Sequence, residues 1–303
     1  MMNLQPSRLS PLDHQGMEPI QLLVLDVDGT VTNSQHQVTE ATVSAIRRVR
    51  KAGIRVLLAT GRRYRDVLPI ASQLQIEEPL VTASGALVKQ ACTHRTQFRA
   101  VFQPEVLKNV LSIIISHGHE PVLYTDSYER GFDFHCRKHF QDSRPSTKEK
   151  GFQEYLKCNQ KLAKITPNLH KEPPVGVFAG FVMGSQKDMH SLESEIRNTW
   201  LSEVSLHTIK SPRYSDFLCE IAPANVTKWS AVLRLANDWG IRPEAICAVG
   251  DDRNDTPMLR GAGLGIAMGN AVPEVRAVAD HVVGRHDEDG LVDVANLLLT
   301  TLS

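Results

Sequence analysis

The chain has 303 residues, 42% of them hydrophobic, and its 34 Lys+Arg balance 34 Asp+Glu. It is long enough to bury a sizeable core and to form two domains, and its zero formal charge leaves no global field to recruit nucleic acid or an anionic membrane. The five cysteines, Cys92, Cys136, Cys158, Cys219 and Cys247, are odd in number and include no C-x-x-C pair. They read as reduced thiols of a cytoplasmic protein rather than a secreted disulfide framework.

Residues 1–18 carry no apolar stretch of the signal-peptide kind, and with Pro6, Pro11 and Gly16 they read as a disordered tail. Ile20–Leu25 is a mostly apolar run of strand length that ends in Asp26-Val27-Asp28-Gly29-Thr30. Residues two apart on a strand point the same way, so Asp26 and Asp28 can share a pocket where the chain leaves the sheet. A calcium loop is the competing reading of D-x-D-G. It requires a preceding helix, glycine at its sixth position and glutamate at its twelfth, whereas here a strand precedes, Gly29 is fourth and Gln37 is twelfth.

Thr39 predicts the cap of a helix with an apolar stripe at Val43, Ile46 and Val49, a basic end at Arg47, Arg48, Arg50 and Lys51, and a stop at Gly53. The basic run is a solvated helix face rather than a nucleic-acid patch. Ile54–Ala59 is the next strand, and Thr60-Gly61-Arg62 follows its end; Leu80–Ala83 is a third, leading into Ser84-Gly85-Ala86. In the middle of the chain, Phe102–Ser116 and Met189–Trp200 read as helices and Val177–Met183 as a buried strand, while Lys138–Lys171 gives few signals. His135 and His139 flank Cys136 at a spacing that would suit a metal on a helix, but no third ligand accompanies them, so an exposed element is the expectation.

The last third resumes the strand–helix rhythm. Thr227 caps a helix through Val232, Leu235 and Ala236, which leaves Lys228 at its N-terminus, a position that favours anions. Ala245–Val249 is a strand ending in Gly250-Asp251-Asp252-Arg253-Asn254-Asp255, and Leu264–Met268 and His281–Val283 are two more. Strands alternating with helices at both ends predict one parallel sheet with helices on both faces, and ligands of such sheets bind beyond the carboxyl ends of the strands. The collected side chains supply a nucleophilic carboxylate, a second carboxylate, a hydroxyl, an ammonium and a metal-ligating carboxylate, which suits metal-assisted phosphoryl transfer through an aspartyl-phosphate. Oxygen ligands without a His/Cys cluster point to Mg²⁺ rather than zinc.

These four segments, in this order, resemble the four motifs of the haloacid dehalogenase-like hydrolase superfamily, in its Cof-type phosphatase subgroup with a large α/β (type IIB) cap. Ser84-Gly85-Ala86, Tyr124-Thr125-Asp126, Cys219–Pro223 and Met268-Gly269-Asn270-Ala271 extend the similarity over about residues 20 to 300. The resemblance implies a Rossmann-like doubly wound core, residues 19–86 and 215–303, with an inserted cap at 87–214. It implies Asp26 as nucleophile and Asp28 as general acid and base. Thr60, Gly61, Lys228 and Asn254 would bind the substrate phosphate. Asp26, Asp28 and Asp251 would bind Mg²⁺, with Asp255 and Asp252 behind them; Asp255 would orient Lys228 or a metal-bound water.

The implied activity is hydrolysis of small phosphorylated metabolites, sugar phosphates or nucleotide-like cofactors. A phosphomutase and a non-enzymatic metabolite-binding protein are the alternatives. The expected partner is a small phosphate ester, with no nucleic acid and no membrane. Specificity is expected in the cap around Tyr124–Tyr128 and Ser211–Phe217. Four positions depart from the family pattern: Asp252 replaces an asparagine, Ser84 stands where asparagine is common, and Asn225 and Trp229 stand where glycines flank the lysine, which predicts a bulkier helix entry and a narrower pocket.

Overall fold

A computed structural model describes residues 18–139, 150–200, 202–211 and 213–300. Most of the expected tail, residues 1–17, lies outside them.

The chain opens with β1 (Leu22–Leu25), α1 (Glu40–Lys51), β2 (Arg55–Leu58) and α2 (Tyr64–Gln73). Thr39 caps α1, its side chain accepting the Thr42 N–H. Next come three short strands, β3 (Leu80–Thr82), β4 (Leu87–Lys89) and β5 (Thr96–Arg99), which form a small antiparallel sheet of their own. A long insertion follows: α3 (Pro104–Ser116), β6 (Pro121–Thr125), β7 (Phe134–Cys136), α4 (Lys150–Asn159), β8 (Ala163–Ile165), β9 (Val177–Gly184), α5 (Gln186–Trp200), β10 (Val204–Lys210) and β11 (Phe217–Pro223). The chain closes with α6 (Lys228–Asp238), β12 (Ile246–Gly250), α7 (Thr256–Gly261), β13 (Leu264–Ala267), α8 (Pro273–Arg276), β14 (His281–Val282) and α9 (Gly290–Thr300).

The main sheet is parallel, in the order β14-β13-β12-β1-β2. Alternation divides its strands between two cores. Leu23 and Leu25 of β1 pack with α1, α2 and α9 through Val43, Ile46, Val67, Val294 and Leu298. Leu22 and Val24 pack on the other face with Val232 and Leu235 of α6 and Met258 of α7. The sheet is therefore covered on both sides, as its near-continuous apolar strands require. β1 and β12 are hydrogen-bonded neighbours, and the chain winds away from them in opposite directions, so their carboxyl ends flank the switch point where such sheets open a crevice.

The insertion builds a second, mostly antiparallel sheet ordered β10-β11-β9-β6-β7-β8, with only β7 and β8 parallel. Val110 and Ile114 of α3 and Leu192 and Ile196 of α5 pack on one face against Val182, Leu206, Cys219 and Ile221. Phe152, Tyr155 and Leu156 of α4 pack on the other against Phe134, Phe181 and Met183. The mixed α/β architecture is thus the expected one, a capped Rossmann-like fold, but the sheets divide the chain elsewhere. β4 and β5, expected in the cap, join the sheet of β3, β4 pairing with β3 and β5 with β4, and Phe217–Pro223, expected in the core, pairs with β9 and β10. Apolar runs mark strands but not which sheet they join, and that is where the 87–214 limits diverge from the pairing.

Candidate active site

Asp26 directly follows β1 and Asp251 directly follows β12, so the two neighbouring strands deliver both carboxylates to one crevice. Thr60 follows β2 by two residues. Lys228 is the first residue of α6, held there by a capping box between Thr227 and Ser230. These four side chains come from elements distant in sequence, and all but Asp251 are buried.

Lys228 Nζ donates to Asp26 Oδ1 at 2.6 Å and to Asp255 Oδ1 at 2.7 Å, and lies 3.4 Å from Asn254 Oδ1. Burial pulls its pKa down, but the charges and hydrogen bonds of Asp255 and Asp26 together outweigh burial and hold it above the ordinary lysine value. Asp255 is fully occupied, because its other oxygen accepts the Asp251 and Asp252 N–H groups at 3.0 and 3.1 Å. It orients Lys228 and shapes the loop together. Asp251 accepts from Thr30 Oγ1 at 3.3 Å and from Asn270 Nδ2 at 3.2 Å, and Asn270 also reaches the Gly29 carbonyl. Gly29 has φ +75°, and a Cβ there would lie 2.2 Å from an Asp251 oxygen, so only glycine permits this approach.

Asp26, Asp251 and Asp255 each present an oxygen within 4.8 Å of the others. Burial first, then the neighbouring Asp255, pushes Asp26 up to about 7 against the pull of Lys228. Burial, then Asp26 and Asp255, pushes Asp251 up to about 9. Three crowded carboxylates facing one ammonium have the charge imbalance that a divalent cation relieves, and an all-oxygen donor set suits a hard ion such as Mg²⁺. Asp26 and Asp251 are the pair suited to holding it.

Asp28 stands apart from that group. Arg62 grips it with two bonds, Nε to Oδ2 at 2.7 Å and Nη2 to Oδ1 at 2.6 Å, and His36 Nδ1 lies 3.6 Å away. Burial raises its pKa, but the Arg62 hydrogen bonds and charge outweigh burial and hold it below the ordinary carboxylate value, with Arg213 and His36 adding to the pull. Arg62 was part of a recognised segment, but a partner 34 residues away leaves no sequence spacing to read. Asn270 and Glu220 lie in segments that carry the resemblance, but for the same reason their contacts gave no sequence signal. Glu220 sits on β11 and accepts from Ser84 Oγ at 3.0 Å.

The Thr60 hydroxyl oxygen accepts the Arg62 N–H at 3.2 Å. Asp252 caps the short turn Arg253–Asp255, accepting the Arg253 N–H, and is not among the clustered carboxylates. Asn225 has φ +61°, a left-handed conformation that asparagine tolerates in place of glycine. The bulk of Trp229 does not narrow the pocket as expected: its indole packs over Gly261 of α7, where an added Cβ would lie 2.3 Å from Nε1. His135 and His139 do not form the helical pair. His135 is on strand β7, its ring nitrogens 3.2 Å from Thr125 Oγ1 and 2.9 Å from Thr166 Oγ1.

The crevice is spanned by contacts between the two units. Arg63 Nη2 reaches Asn159 Oδ1 at 2.9 Å while its guanidinium also binds Asp66. Arg65 binds Asp133 at 2.9 Å and lies over the Tyr128 ring, and Lys89 binds Asp126 at 2.7 Å. Of the segments expected to carry specificity, Tyr124–Tyr128 contributes to this clasp, and Tyr214 OH accepts from Asn159 Nδ2 at 3.0 Å.

The haloacid dehalogenase-like hydrolase family matches residues 23–294, nine-tenths of the chain. The chain belongs to this family. It is an enzyme of the phosphatase type found there, with the capped fold of the type IIB members. Phosphatase YwpJ of Bacillus subtilis is 27% identical over 300 residues, covering 92% of this chain and 100% of that one. The 5-amino-6-(5-phospho-D-ribitylamino)uracil phosphatase YitU of the same organism is 26% identical over 278 residues, covering 89% and 94%. The solved type IIB sugar phosphatase BT4131 shares the fold with a TM-score of 0.72 at 20% identity, over 91% of this chain and 98% of that one. Among the described residues no helix is long and apolar enough to cross a membrane, and all five cysteines are unpaired.

Proposed function

We propose that this protein is a Mg²⁺-dependent phosphatase of small phosphorylated metabolites, sugar phosphates or nucleotide-like cofactors, working through an aspartyl-phosphate on Asp26. The observation that carries the reading is the pairing of Asp26 Oδ1 with Lys228 at 2.6 Å beside Asp251. One carboxylate oxygen is thereby fixed, and the other is left to attack. The sugar and ribitylamino-uracil phosphatases among its relatives support the substrate class, and the unpaired cysteines suit a reducing cytoplasm.

Lys228 and the Thr60 hydroxyl hold the phosphoryl oxygens, with the Gly61 amide and Asn254 beside them. Asp26 Oδ2 attacks phosphorus as the bond to the leaving oxygen breaks, and Asp28 gives that oxygen its proton. Asp28 then takes a proton from water, which attacks the acyl phosphate and returns Asp26 to a carboxylate. Asp26 and Asp251 would hold Mg²⁺, which would supply neutralisation of the phosphate charge. In the acid half of the cycle Arg62 must release Asp28, and an arriving phosphate, which competes for the same guanidinium, gives it the alternative partner. The insertion between β5 and α6 acts as a cap that excludes bulk water.

The test is turnover of an aryl phosphate by wild type and Asp26→Asn, with products resolved. Release of inorganic phosphate by wild type alone is expected, and an isomeric phosphate instead would make the enzyme a mutase. Equal turnover by the variant removes Asp26 from the nucleophilic role.

A further inference from the structure

β11 alternates. Cys219 and Ile221 point into the packing with α3 and α5, so Glu220, between them, points to the opposite face of the sheet, toward the core. There its Oε2 accepts from Ser84 Oγ at 3.0 Å, a bond between cap sheet and core loop. Its Oε1 lies 3.5 Å from where a Cβ on Gly61 would sit, directly over the Thr60–Gly61 turn expected to hold the phosphoryl group. Among the described residues nothing donates to Oε1. Glu220 is also the cross-strand partner of His207, whose Nε2 is buried with no hydrogen-bond partner.

The core side of this contact is held under strain. Ala83 and Ser84 are consecutive non-glycine residues in the left-handed region, at φ +47° and +55°. Such conformations are costly for residues with a Cβ, and they cluster at ligand clamps and active sites. In this conformation the Ser84 hydroxyl meets Glu220. Burial raises the Glu220 pKa, while His207, Ser84 and Lys228 oppose the rise. Glu220 is half-buried, and a carboxylate with a donor on one oxygen and none among the described residues on the other is open to a second donor.

We propose that Glu220 is a specificity residue: its Oε1 accepts a hydrogen bond from a hydroxyl carried by the leaving group one or two carbons from the ester oxygen. Ser84 fixes the carboxylate for that contact. The substrates are then phosphate esters of vicinal hydroxy compounds in preference to plain alkyl or aryl esters. This inference rests on the phosphatase reading above. A hydroxyl fits better than an ammonium, because Lys228, Arg62 and Arg213 already make this part of the crevice cationic.

The experiment compares kcat/KM for a phosphorylated pentitol, n-pentyl phosphate and an aminopentyl phosphate, in wild type, Glu220→Ala and Glu220→Gln, with Mg²⁺ present. Thermal melting and p-nitrophenyl phosphate turnover report folding and the intact phosphoryl site. Wild type should prefer the pentitol ester. Glu220→Ala should lower its kcat/KM by about 10-fold or more, as expected for a lost hydrogen bond to a charged group, and leave n-pentyl phosphate within about 2-fold. Glu220→Gln, which keeps an acceptor oxygen, should fall between. Equal losses on pentitol and pentyl esters, no loss on either, absence of a pentitol preference in wild type, or a loss confined to the amino ester would overturn the assignment. Failure of wild type to hydrolyse any of the esters, the aryl phosphate included, would instead overturn the phosphatase reading.

Discussion

Asp26 is buried, and its carboxylate is raised toward neutrality by that burial. Replacing it with asparagine therefore removes an electrostatic burden as well as the nucleophile. Asp26→Asn is expected to lower turnover by about 10³-fold or more while the melting temperature stays at or above the wild-type value; a melting temperature well below it would make the loss structural. Asp28 predicts a different signature. A positioned acid contributes about 10²- to 10⁴-fold when the leaving group is poor. Asp28→Asn should thus cripple alkyl phosphates and spare the phosphorylation burst with an activated aryl ester, and equal burst losses for both would leave Asp28 only a placing role. At this scale the positions of the candidate residues Asp26, Asp28, Thr60, Lys228 and Asp251 were legible because each stands near a strand end or at a helix start, places that apolar runs and capping residues mark. Their mutual contacts were not. The Arg62 grip on Asp28 and the Ser84–Glu220 bond join residues 34 and 136 positions apart, and no local pattern encodes such a meeting.

The elements that carry these residues are pinned by close backbone approaches. A Cβ on Gly85, at φ +101°, would lie 2.1 Å from the Thr227 carbonyl oxygen at the start of α6. Gly85→Ala should displace the helix that presents Lys228, cost about 3 kcal/mol in unfolding free energy and reduce turnover more than the stability loss explains. Denaturant midpoints alongside turnover at a temperature where both proteins are folded would check it, and unchanged turnover would show that α6 does not move. Strand β7 carries a titration of its own. Burial, then Lys164 and Arg130, lowers the His135 pKa to about 4. The unfolded chain takes up this proton first as pH falls below 6.5, so stability is lost from there down to about 4, by up to about 3 kcal/mol. His135→Gln should flatten that part of the pH profile of the urea midpoint, and an unaltered slope would remove His135 as its source. Read from sequence, His135 and His139 were paired only by assuming a helical period, which a three-residue strand ending at Cys136 does not supply. Elements with long apolar stripes, α1, α3, α6 and β9, were legible to within a few residues. Lys138–Lys171 was not, because α4 and β8 there are short and half polar.

For the whole molecule, the crowded carboxylates of Asp26, Asp251 and Asp255 predict a link between metal and stability. Adding Mg²⁺ to chelator-treated protein should raise the melting temperature, with about 2.7 kcal/mol gained at a hundredfold excess over Kd, and should restore turnover. Asp251→Asn should lose both responses. A metal-insensitive melting temperature together with chelator-resistant turnover would rule the cation out. The two-unit plan was legible in the alternation of strands and helices at both ends of the chain. The limits of the insertion were not, since a strand's apolar pattern is the same whichever sheet recruits it. One peptide bond joins Arg62, whose guanidinium grips Asp28, to Arg63, which reaches Tyr155 and Asn159 in α4, and Arg65 two residues on meets Asp133. Asp28 and the insertion are therefore held by adjacent residues of the core's own chain. Transplanting the insertion at 102–223 from a relative, however neatly joined, would leave Arg63 and Arg65 facing strangers. A working chimera should require that residues 63–66 travel with the insertion, so that modular exchange of caps in this protein is a graft of two pieces rather than one.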